Sequence, residues 1–481
     1  MRRIESIFIH PSLMCAIALT AVAAPTAVAE QPYAGEIARW TAQDRLDPPE
    51  AGAILFIGSS SIRRWEQLTR DFDDYRVIQR GYGGCHFDHV NQYADEIVLP
   101  YKPSAIVVWA GANDLNSGQP ADELVEDFEA FIEKVHGEQP GVEVFYLGVT
   151  STIGNEASKD ARDEANARIS ELCAQGERLH FIDLPSAFYD LGGPDDEAFS
   201  GMYVDDLHLN RKGYRFWTSL IRPNVEAVVK PNKAYQPNPD APGAGASILF
   251  DFGPSNAEDG AHTTGADTNG NHWNNWHEAK GNVAVNAGEH LAGLVDSNGE
   301  PTGVGMVITG GFATNGVRNG GLAEPDADRL GDLAVATATQ DFFFSSADDR
   351  WGGGNDDAGG GFMLTGLNPE GSYDFRFFGS RVDPSETRAT EFRVFGSNRG
   401  KATLTTTGEG VGSDGAYAGN DGEIAEVSGI SPDRFGQVFI DMTVVEGTYA
   451  YLNAMEMRVR SLGARDHDNN ERGAHAAARE N

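Results

Sequence analysis

Residues 53–61 read Ala-Ile-Leu-Phe-Ile-Gly-Ser-Ser-Ser, so three small hydroxyl residues follow directly after an apolar run. The run has the length of a strand, and its continuous apolar character is typical of a strand buried on both faces. Glycine and serine then mark the turn at its end. Because the working groups of an open parallel sheet gather at the carboxyl ends of its strands, this segment predicts a fold and a candidate site together.

Four more runs of the same kind follow, at residues 75–78, 105–109, 142–147 and 179–182. Helical spacing appears between them, for example at Leu124, Phe128 and Phe131, and the last such pattern includes Tyr214 and Trp217. Strands that alternate with helices predict a parallel sheet covered on both faces, with right-handed crossovers. We therefore expect a three-layer α/β domain over residues 30–229.

The texture of the sequence changes after residue 229. Residues 230–245 are rich in proline and predict a stiff linker. Beyond them glycine, asparagine and aspartate are frequent, helical periodicity is absent, and short β-type runs alternate with turn-rich spacers. This pattern predicts an antiparallel β-sandwich (jelly-roll) domain over residues 246–462. Residues 463–481 are polar and aperiodic, and we expect a disordered tail there.

The N-terminus has the pattern of an export signal. A positive start is followed by an apolar run at residues 13–24 and by small residues at 27–29, which predicts a signal peptide over residues 1–29. An uncleaved N-terminal anchor is the alternative. No later stretch is long and apolar enough to span a bilayer. We therefore expect a secreted or periplasmic protein without a membrane span.

Charge and cysteine content limit the partners and the disulfide bonds that we expect for this protein. The 72 acidic and 37 basic residues give a formal net charge of −35, which argues against nucleic acid or an anionic bilayer as the main partner. Cys85 and Cys173 lie beyond the leader. They follow or precede strands expected at opposite edges of the sheet, so we do not expect them to pair.

Four short segments supply the parts of a nucleophilic site, and each lies at the end of a strand or before a helix. They contribute Ser60, Gly84, Asn113, and the pair Asp205 and His208. A histidine activates a serine hydroxyl by accepting its proton, and an aspartate holds the imidazole in the required tautomer. The backbone N–H groups of Ser60 and Gly84 and the amide of Asn113 are candidate donors to an oxyanion.

These segments resemble the four blocks of the SGNH (GDSL-type) hydrolase superfamily, over about residues 53–225. The resemblance implies a flavodoxin-like parallel sheet and metal-free ester cleavage by a Ser-His-Asp triad. It assigns Ser60 as the nucleophile, Asp205 and His208 as its partners, and Gly84 and Asn113 to the oxyanion hole. In this chain Ser59 replaces the usual aspartate of the first block. In the last block Asp206 fills a position that is often glycine, and the spacing favours Asp205 over Asp206.

Other readings of these segments stay open. A strand-to-helix turn, a tight glycine turn, a helix cap and a surface histidine would each explain one block, but not their joint placement. Arg64, Trp65 and His86 are candidate substrate contacts, and a structural role is an equal alternative for Arg64 and Trp65. His86 and His89 have the spacing of metal ligands without an evident third partner, so they fit the rim of a pocket better.

The second domain resembles a galactose-binding-like, carbohydrate-binding jelly roll. Trp273, Trp276 and Trp351 lie in Asn/Gly-rich stretches, where they either stack on sugars or fill the core. Two stretches are dense in the oxygen ligands that calcium prefers. One stretch is formed by Asp348, Asp349, Asn355, Asp356 and Asp357, the other by Asp267, Asn269 and Asn271. Solvated acidic loops are the alternative.

Together these features predict a secreted serine esterase that needs no cofactor, with structural calcium as an option. The substrate class we expect is an acylated carbohydrate, with acetyl groups removed from a polysaccharide. One alternative is a lipolytic esterase of the same superfamily, such as a lysophospholipase or thioesterase. The other is a sugar-binding protein whose hydrolase domain is vestigial.

Overall fold

The computed structural model describes residues 31–256, 258–278, 283–346, 360–382, 385–413 and 418–463. The predicted signal peptide, the tail beyond residue 463, Trp351 and the acidic stretch at residues 348–357 lie outside the described residues.

The first domain is built on a parallel sheet of five strands in the order β2-β1-β3-β4-β5. The strands are β1 (Ile54–Gly58), β2 (Val77–Gly81), β3 (Ala105–Trp109), β4 (Glu143–Leu147) and β5 (Leu179–Ile182). This order is that of flavodoxin-like sheets, with the topological switch point between β1 and β3. The predicted α/β class and the predicted strands are confirmed, with boundaries shifted by a few residues.

Eleven helices of the described residues accompany this sheet. They are α1 (Ala34–Leu46), α2 (Ser60–Arg63), α3 (Leu68–Asp71), α4 (Phe87–Gln92), α5 (Ala94–Ile97), α6 (Ala112–Asn116), α7 (Ala121–Glu138), α8 (Lys159–Gln175), α9 (Leu184–Tyr189), α10 (Glu197–Ser200) and α11 (Arg211–Val228). Short 3₁₀ turns occur at Leu99–Tyr101 and Glu156–Ser158. Helix α7 buries Leu124, Phe128 and Phe131, which is the face that its apolar spacing predicts.

The carboxyl end of β1 is fixed by close contact with β3. Gly58 has φ +143°, and a Cβ atom there would lie 1.8 Å from the carbonyl oxygen of Trp109. Only glycine fits both restraints. The backbone N–H of Ser59 then donates to the carbonyl of Trp109 at 2.9 Å. The chain is thereby held against β3 just before Ser60 begins helix α2.

The region after residue 246 consists mainly of antiparallel strands, as predicted. The strands are β6 (Ser247–Pro254), β7 (Asn274–Glu278), β8 (Ala284–Val285), β9 (His290–Leu291), β10 (Gly305–Gly310), β11 (Phe312–Asn315), β12 (Phe342–Ser346), β13 (Gly360–Thr365), β14 (Ser372–Phe378), β15 (Arg388–Phe395), β16 (Arg399–Thr407), β17 (Ala425–Ile430), β18 (Val438–Glu446), β19 (Tyr449–Leu452) and β20 (Ala454–Ser461). They form three sheets, ordered β16-β15-β18-β13-β10-β9, β19-β12-β11-β8 and β17-β14-β20-β6-β7.

The core of this region lies between the six-stranded and the five-stranded sheet. Its clearest contact is between Phe377 on β14 and Phe392 on β15, whose rings stack with centroids 4.4 Å apart. Two features differ from a simple antiparallel sandwich. Strand β7 pairs with β6 in parallel, and a third sheet of four strands is present. Short helices α12 (Ala327–Leu330) and α13 (Ala336–Thr339), with 3₁₀ turns at Val317–Asn319 and Gly331–Leu333, lie within this region.

The linker packs on both domains. The side chain of Asn232 accepts a hydrogen bond from the N–H of Arg76 at 2.9 Å and donates to the carbonyl of Gly52 at 2.5 Å. Further along, the amide of Asn238 donates to the carbonyls of Thr302 and Gly366, at 2.9 and 2.8 Å. The linker is therefore anchored to the first domain at one end and to the β-domain at the other.

The two domains also contact each other directly. Arg70 donates to both carboxylate oxygens of Asp441, at 2.8 and 2.7 Å, although 371 residues separate them. The Arg70 guanidinium lies over the rings of Phe395 and Phe439, 4.8 and 4.5 Å from their centroids. A two-pronged charged hydrogen bond framed by two aromatic rings is a specific contact, so the β-domain is docked in one orientation.

Helix α1 was not predicted from the sequence, and it contributes to the same interface. Trp40 of α1 is fully buried, and the guanidinium of Arg80 lies 5.3 Å from its ring centroid. Arg80 donates to Asp44 of α1 at 2.7 Å and to the carbonyl of Gly288 in the β-domain at 3.1 Å. One buried arginine thereby joins α1, the edge strand β2 and the second domain.

No helix of the described residues is long and apolar enough to cross a membrane. Cys85 and Cys173 are both free and buried. Burial raises the pKa of Cys85 well above its usual value and that of Cys173 to about 12. The two thiols thus stay protonated at neutral pH, and the expectation that they do not pair agrees with the structure.

Candidate active site

Ser60, His208 and Asp205 form a continuous hydrogen-bonded chain. The hydroxyl of Ser60 lies 2.9 Å from Nε2 of His208, and Nδ1 of His208 lies 2.7 Å from Oδ2 of Asp205. These are the separations that a nucleophile, its base and an orienting carboxylate require. The three residues come from the end of β1 and from the loop before α11, which meet at the carboxyl edge of the sheet.

Ser60 differs from its two serine neighbours in its surroundings. Ser59 and Ser61 are 3% and 8% exposed, whereas Ser60 is half-buried at the start of α2 and faces the imidazole. The sequence left the choice among the three serines to block alignment. The geometry assigns the hydroxyl beside His208 to Ser60.

The loop that carries Asp205 and His208 is shaped by its own hydrogen bonds. Oδ1 of Asp205 accepts from the N–H groups of Leu207 and His208, at 2.7 and 2.6 Å, which folds the loop back on the aspartate. Two residues after His208, the side chain of Asn210 caps α11 by accepting from the N–H groups of Lys212 and Gly213. The spacing of two residues between Asp205 and His208 therefore brings both side chains to one side of the loop.

The charges around the imidazole favour its neutral form. Burial lowers the pKa of His208, the charge of Arg64 lowers it further, and the hydrogen bond to Asp205 offsets only part of this. Burial raises the pKa of Asp205, but hydrogen bonds from the His208 ring and from the backbone of His208 and Leu207 outweigh it, so the net shift is downward. A neutral imidazole next to an ionised carboxylate is the state in which histidine accepts a proton.

Arg64 lies beside the triad, one helical turn after Ser60. Its Nη1 atom lies 3.4 Å from Oδ2 of Asp205, and its side chain is 13% exposed. The candidate substrate contact Trp65 has different surroundings, since it is fully buried and its indole N–H donates to Asp71 at 2.7 Å. The structural alternative is therefore the one that the position of Trp65 favours.

Gly84 and Asn113, the predicted partners of Ser60 in the oxyanion hole, follow β2 and β3, the two strands next to β1. Gly84 has φ +79°, a left-handed conformation, and is exposed in the turn after β2. Asn113 lies in α6, after β3, and its amide donates to the carbonyl of Cys85 at 2.9 Å. Among the described residues, the N–H groups of Ser60 and Gly84 donate no backbone hydrogen bond. Free N–H groups of this kind are the donors that an oxyanion hole requires.

His86 and His89 cap helix α4 together. The N–H of His86 donates to Nδ1 of His89 at 3.0 Å, and their rings lie edge to face with centroids 5.6 Å apart. Within the part of the chain that the structure describes, no group of three or more His, Cys, Asp or Glu side chains is arranged to hold a metal ion. The observed contact of the pair is thus the cap of α4.

Two residues that the sequence analysis did not single out lie next to the glycine turn. The guanidinium of Arg63 lies so close to Gly83 that a Cβ atom there would be 2.7 Å from its Nη1 atom. Tyr33, just before α1, packs edge to face on His89 at 5.2 Å. Both residues stabilise the turn that presents Gly84. The position of Arg63, one helical turn after Ser60, is the sequence signal that could have pointed to it.

The first domain thus combines a flavodoxin-like α/β sheet with a Ser-His-Asp hydrogen-bonded chain at the carboxyl edge of that sheet. The model of the GDSL-like lipase/acylhydrolase family matches residues 42–216. This part of the chain is a GDSL-like lipase/acylhydrolase (SGNH) domain, as the resemblance predicted. Over 189 residues the chain is 24% identical to platelet-activating factor acetylhydrolase IB subunit alpha2 of Gallus gallus, covering 37% of this chain and 76% of that protein.

Similar solved structures include two bacterial proteins. A GDSL-like lipase from Bacteroides thetaiotaomicron is 19% identical with a TM-score of 0.34, covering 40% of this chain and 97% of that one. A lipase/acylhydrolase from Enterococcus faecalis is 19% identical with a TM-score of 0.32, covering 38% of this chain and 100% of that one.

In the β-domain, the described candidates for sugar and calcium binding are occupied by contacts within the domain. Trp273 and Trp276 are 6% and 3% exposed, so both rings fill the core and neither presents a face to a sugar. The carboxylate of Asp267 accepts from the N–H groups of Asn269 and Asn271 and from the indole of Trp273. Its loop is therefore closed by its own hydrogen bonds, which favours the acidic-loop alternative over the calcium option there.

Proposed function

We propose that this chain is a serine esterase in which Ser60 carries the acyl group. His208 takes the proton of Ser60 as its oxygen attacks the ester carbonyl, and gives that proton to the departing alcohol. A water molecule then attacks the acyl-serine, with its proton passing to His208 and back to Ser60. The observation that supports this proposal most directly is the hydrogen-bonded chain from Ser60 through His208 to Asp205.

In this mechanism the oxyanion forms twice, once in each half of the reaction. We assign its stabilisation to the N–H groups of Ser60 and Gly84 and to the amide of Asn113. The amide is oriented by its hydrogen bond to the carbonyl of Cys85, which leaves its second N–H to point elsewhere. Donors that are already in place need no reorganisation when the charge develops.

For the acyl group we propose acetyl. The relative from Gallus gallus is named as an acetylhydrolase, and it is 24% identical over 189 residues. For the alcohol we propose a carbohydrate. The predicted export of the chain would place it among extracellular polysaccharides and away from cytoplasmic thioesters. The net charge of −35 favours a neutral substrate over an anionic lipid surface.

The test is a substrate panel for the full chain. Nitrophenyl esters from acetyl to long acyl chains would be compared with acetylated xylan and pectin. We expect kcat/KM to be highest for acetyl and to fall with chain length, and acetate to be released from at least one polysaccharide. A maximum at long acyl chains would establish the lipolytic alternative instead. No hydrolysis of any ester would establish the vestigial one.

A further inference from the structure

One face of β6 carries an acidic side chain inside the β-domain. Side chains alternate along a strand, so Asp251 shares its face with Leu249 and Gly253, while Phe250 and Phe252 point into the main core. Asp251 is 3% exposed. Its carboxylate accepts a hydrogen bond from the N–H of Thr263 at 2.9 Å.

A second carboxylate lies against the same face. Asp341, just before β12, is 1% exposed, and its position is defined by two glycines. A Cβ atom at Gly253 would lie 2.3 Å from the carboxyl carbon of Asp341, and one at Gly260 would lie 2.0 Å from its Oδ2 atom. The Asp341 carboxylate therefore occupies the space of a side chain on β6, two residues from Asp251.

A third oxygen borders this pair. Asn275 on β7 is the direct neighbour of Asp251 in the parallel pairing, so its side chain lies on the same face. Its amide N–H donates to the carbonyl of Thr263 at 3.0 Å, the residue whose N–H bonds to Asp251. This leaves the carbonyl oxygen of the amide, Oδ1, buried without a hydrogen-bond partner among the described atoms.

The described residues provide no positive charge for the two carboxylates. Neither Asp251 nor Asp341 forms an ion pair with a described lysine, arginine or histidine, and Oδ1 of Asp341 is buried without a hydrogen-bond partner. Burial raises the pKa of Asp251 to about 7, and burial together with the charge of Asp251 raises that of Asp341 well above its usual value. Buried charges need a partner or a proton.

We propose that Asp251, Asp341 and the Oδ1 atom of Asn275 bind one divalent cation, calcium. Calcium takes six to eight oxygen ligands in flexible geometry, and two carboxylates with an amide oxygen are ligands of the kind it prefers. Backbone carbonyls and water complete such a shell. Bound there, the ion would join β6 and β7 to the segment that runs from α13 into β12.

This site is separate from the proposed esterase chemistry, and it differs from the other acidic loops. The carboxylates of Asp267 and Asp296 accept N–H groups of their own turns, so their oxygens are already in use. At this site, by contrast, Oδ1 of Asp341 and Oδ1 of Asn275 are both buried without a hydrogen-bond partner among the described atoms.

The test is calorimetric titration of calcium into the full chain after EDTA treatment and dialysis. We expect binding with a Kd on the order of 10⁻⁴ M or tighter. Calcium should also raise the Tm, because it binds the folded state only. Asp341→Asn should abolish this binding event, and Asn275→Ala, which keeps both carboxylates, should weaken it by roughly tenfold or more.

The controls separate this site from the acidic stretch outside the described residues. Asp267→Asn and the double variant Asp356→Asn/Asp357→Asn should keep the binding event, and circular dichroism with a cooperative thermal unfolding transition checks that every variant is folded. Three results would overturn the proposal. They are no calcium binding by the wild-type chain, unchanged binding in Asn275→Ala, and loss of binding only in the double variant. If the wild-type chain binds no calcium and Asp341→Asn raises the Tm, the carboxyl groups of Asp251 and Asp341 share a proton instead.

Discussion

The side-chain amide of Asn113 donates to the main-chain carbonyl of Cys85 at 2.9 Å, which joins the turn after β3 to the turn after β2. Gly84 directly precedes Cys85 in that second turn. The two outer donors of the proposed oxyanion hole are therefore held at a fixed separation by a single hydrogen bond. Stabilisation of a transition state by such donors depends on their being in place before the charge develops.

Asn113→Ala should consequently lower kcat far more than it raises KM, by roughly 10²–10³-fold. It removes a donor and also releases the turn that carries Gly84. Steady-state kinetics on a small acetyl ester measure both constants. A raised KM with unchanged kcat would mean that Asn113 binds the substrate without stabilising the oxyanion.

Removal of the nucleophile should have the largest effect on rate. Ser60→Ala should lower kcat on the order of 10⁵-fold or more, since only the oxyanion donors and substrate binding remain. Loss of activity in Ser61→Ala equal to that in Ser60→Ala would contradict the assignment.

The pH profile should report on Arg64. Burial and the Arg64 charge hold the pKa of His208 below its ordinary value of 6.5, so kcat/KM should stay high down to a pH below 6.5 and fall as the imidazole is protonated. A positive neighbour disfavours imidazolium, and its removal raises the pKa. Arg64→Gln should therefore move the acidic limb to higher pH.

The control for that shift is Arg76→Gln. Arg76 belongs to the same domain but pairs with Glu50 at 2.7 Å, on the surface. Its profile should coincide with that of the wild-type chain. An acidic limb that moves to lower pH in Arg64→Gln, or moves equally in both variants, would show that Arg64 does not act on His208.

The domain interface should contribute to the stability of the whole chain. Arg70→Met removes both hydrogen bonds to Asp441, which is only 7% exposed, and leaves that carboxylate without its cation. We expect the free energy of unfolding to fall by about 1–3 kcal/mol. Urea denaturation measures it, and Arg76→Met, which breaks an exposed pair, should cost less than about 1 kcal/mol. Equal effects of the two variants would mean that the contact between Arg70 and Asp441 stabilises the chain no more than an exposed ion pair does.

A chain that ends at residue 230 tests the division of labour between the domains. All residues proposed for catalysis precede that point, so we expect its kcat on a small acetyl ester to be retained. Its Tm should fall, because Arg70 and Arg80 lose their partners in the β-domain. A folded truncated chain with a changed kcat would show that the β-domain shapes the active site.

The sequence predicted the first domain well because its signals are local. The apolar runs mark buried parallel strands, and the segments that follow three of them carry Ser60, Gly84 and Asn113. The texture after residue 246 predicted the antiparallel strands for the same reason. Several short helices were missed, and so was α1, since its two buried residues, Ile37 and Trp40, give too short an apolar pattern.

Residues whose environment depends on distant partners could not be placed in this way. Trp65 follows the nucleophile in sequence, yet its ring is buried against Phe72 and Trp217. Trp273 lies in an Asn-rich stretch typical of exposed loops, but Asp267 binds its indole and the ring is covered. The contact between Arg70 and Asp441 joins two domains, and no local pattern marks it. The burial of a side chain depends on residues that are distant in sequence, so the spacing of local motifs does not predict it.

The central claim is that Ser60, activated by His208, is the nucleophile. A fluorophosphonate probe reacts only with a serine whose proton is taken up as it attacks, and peptide mass spectrometry locates the adduct. We predict a single adduct on Ser60 in the full chain and none in His208→Ala. An adduct on Ser59 or Ser61, or labelling of Ser60 that persists without His208, would contradict the account.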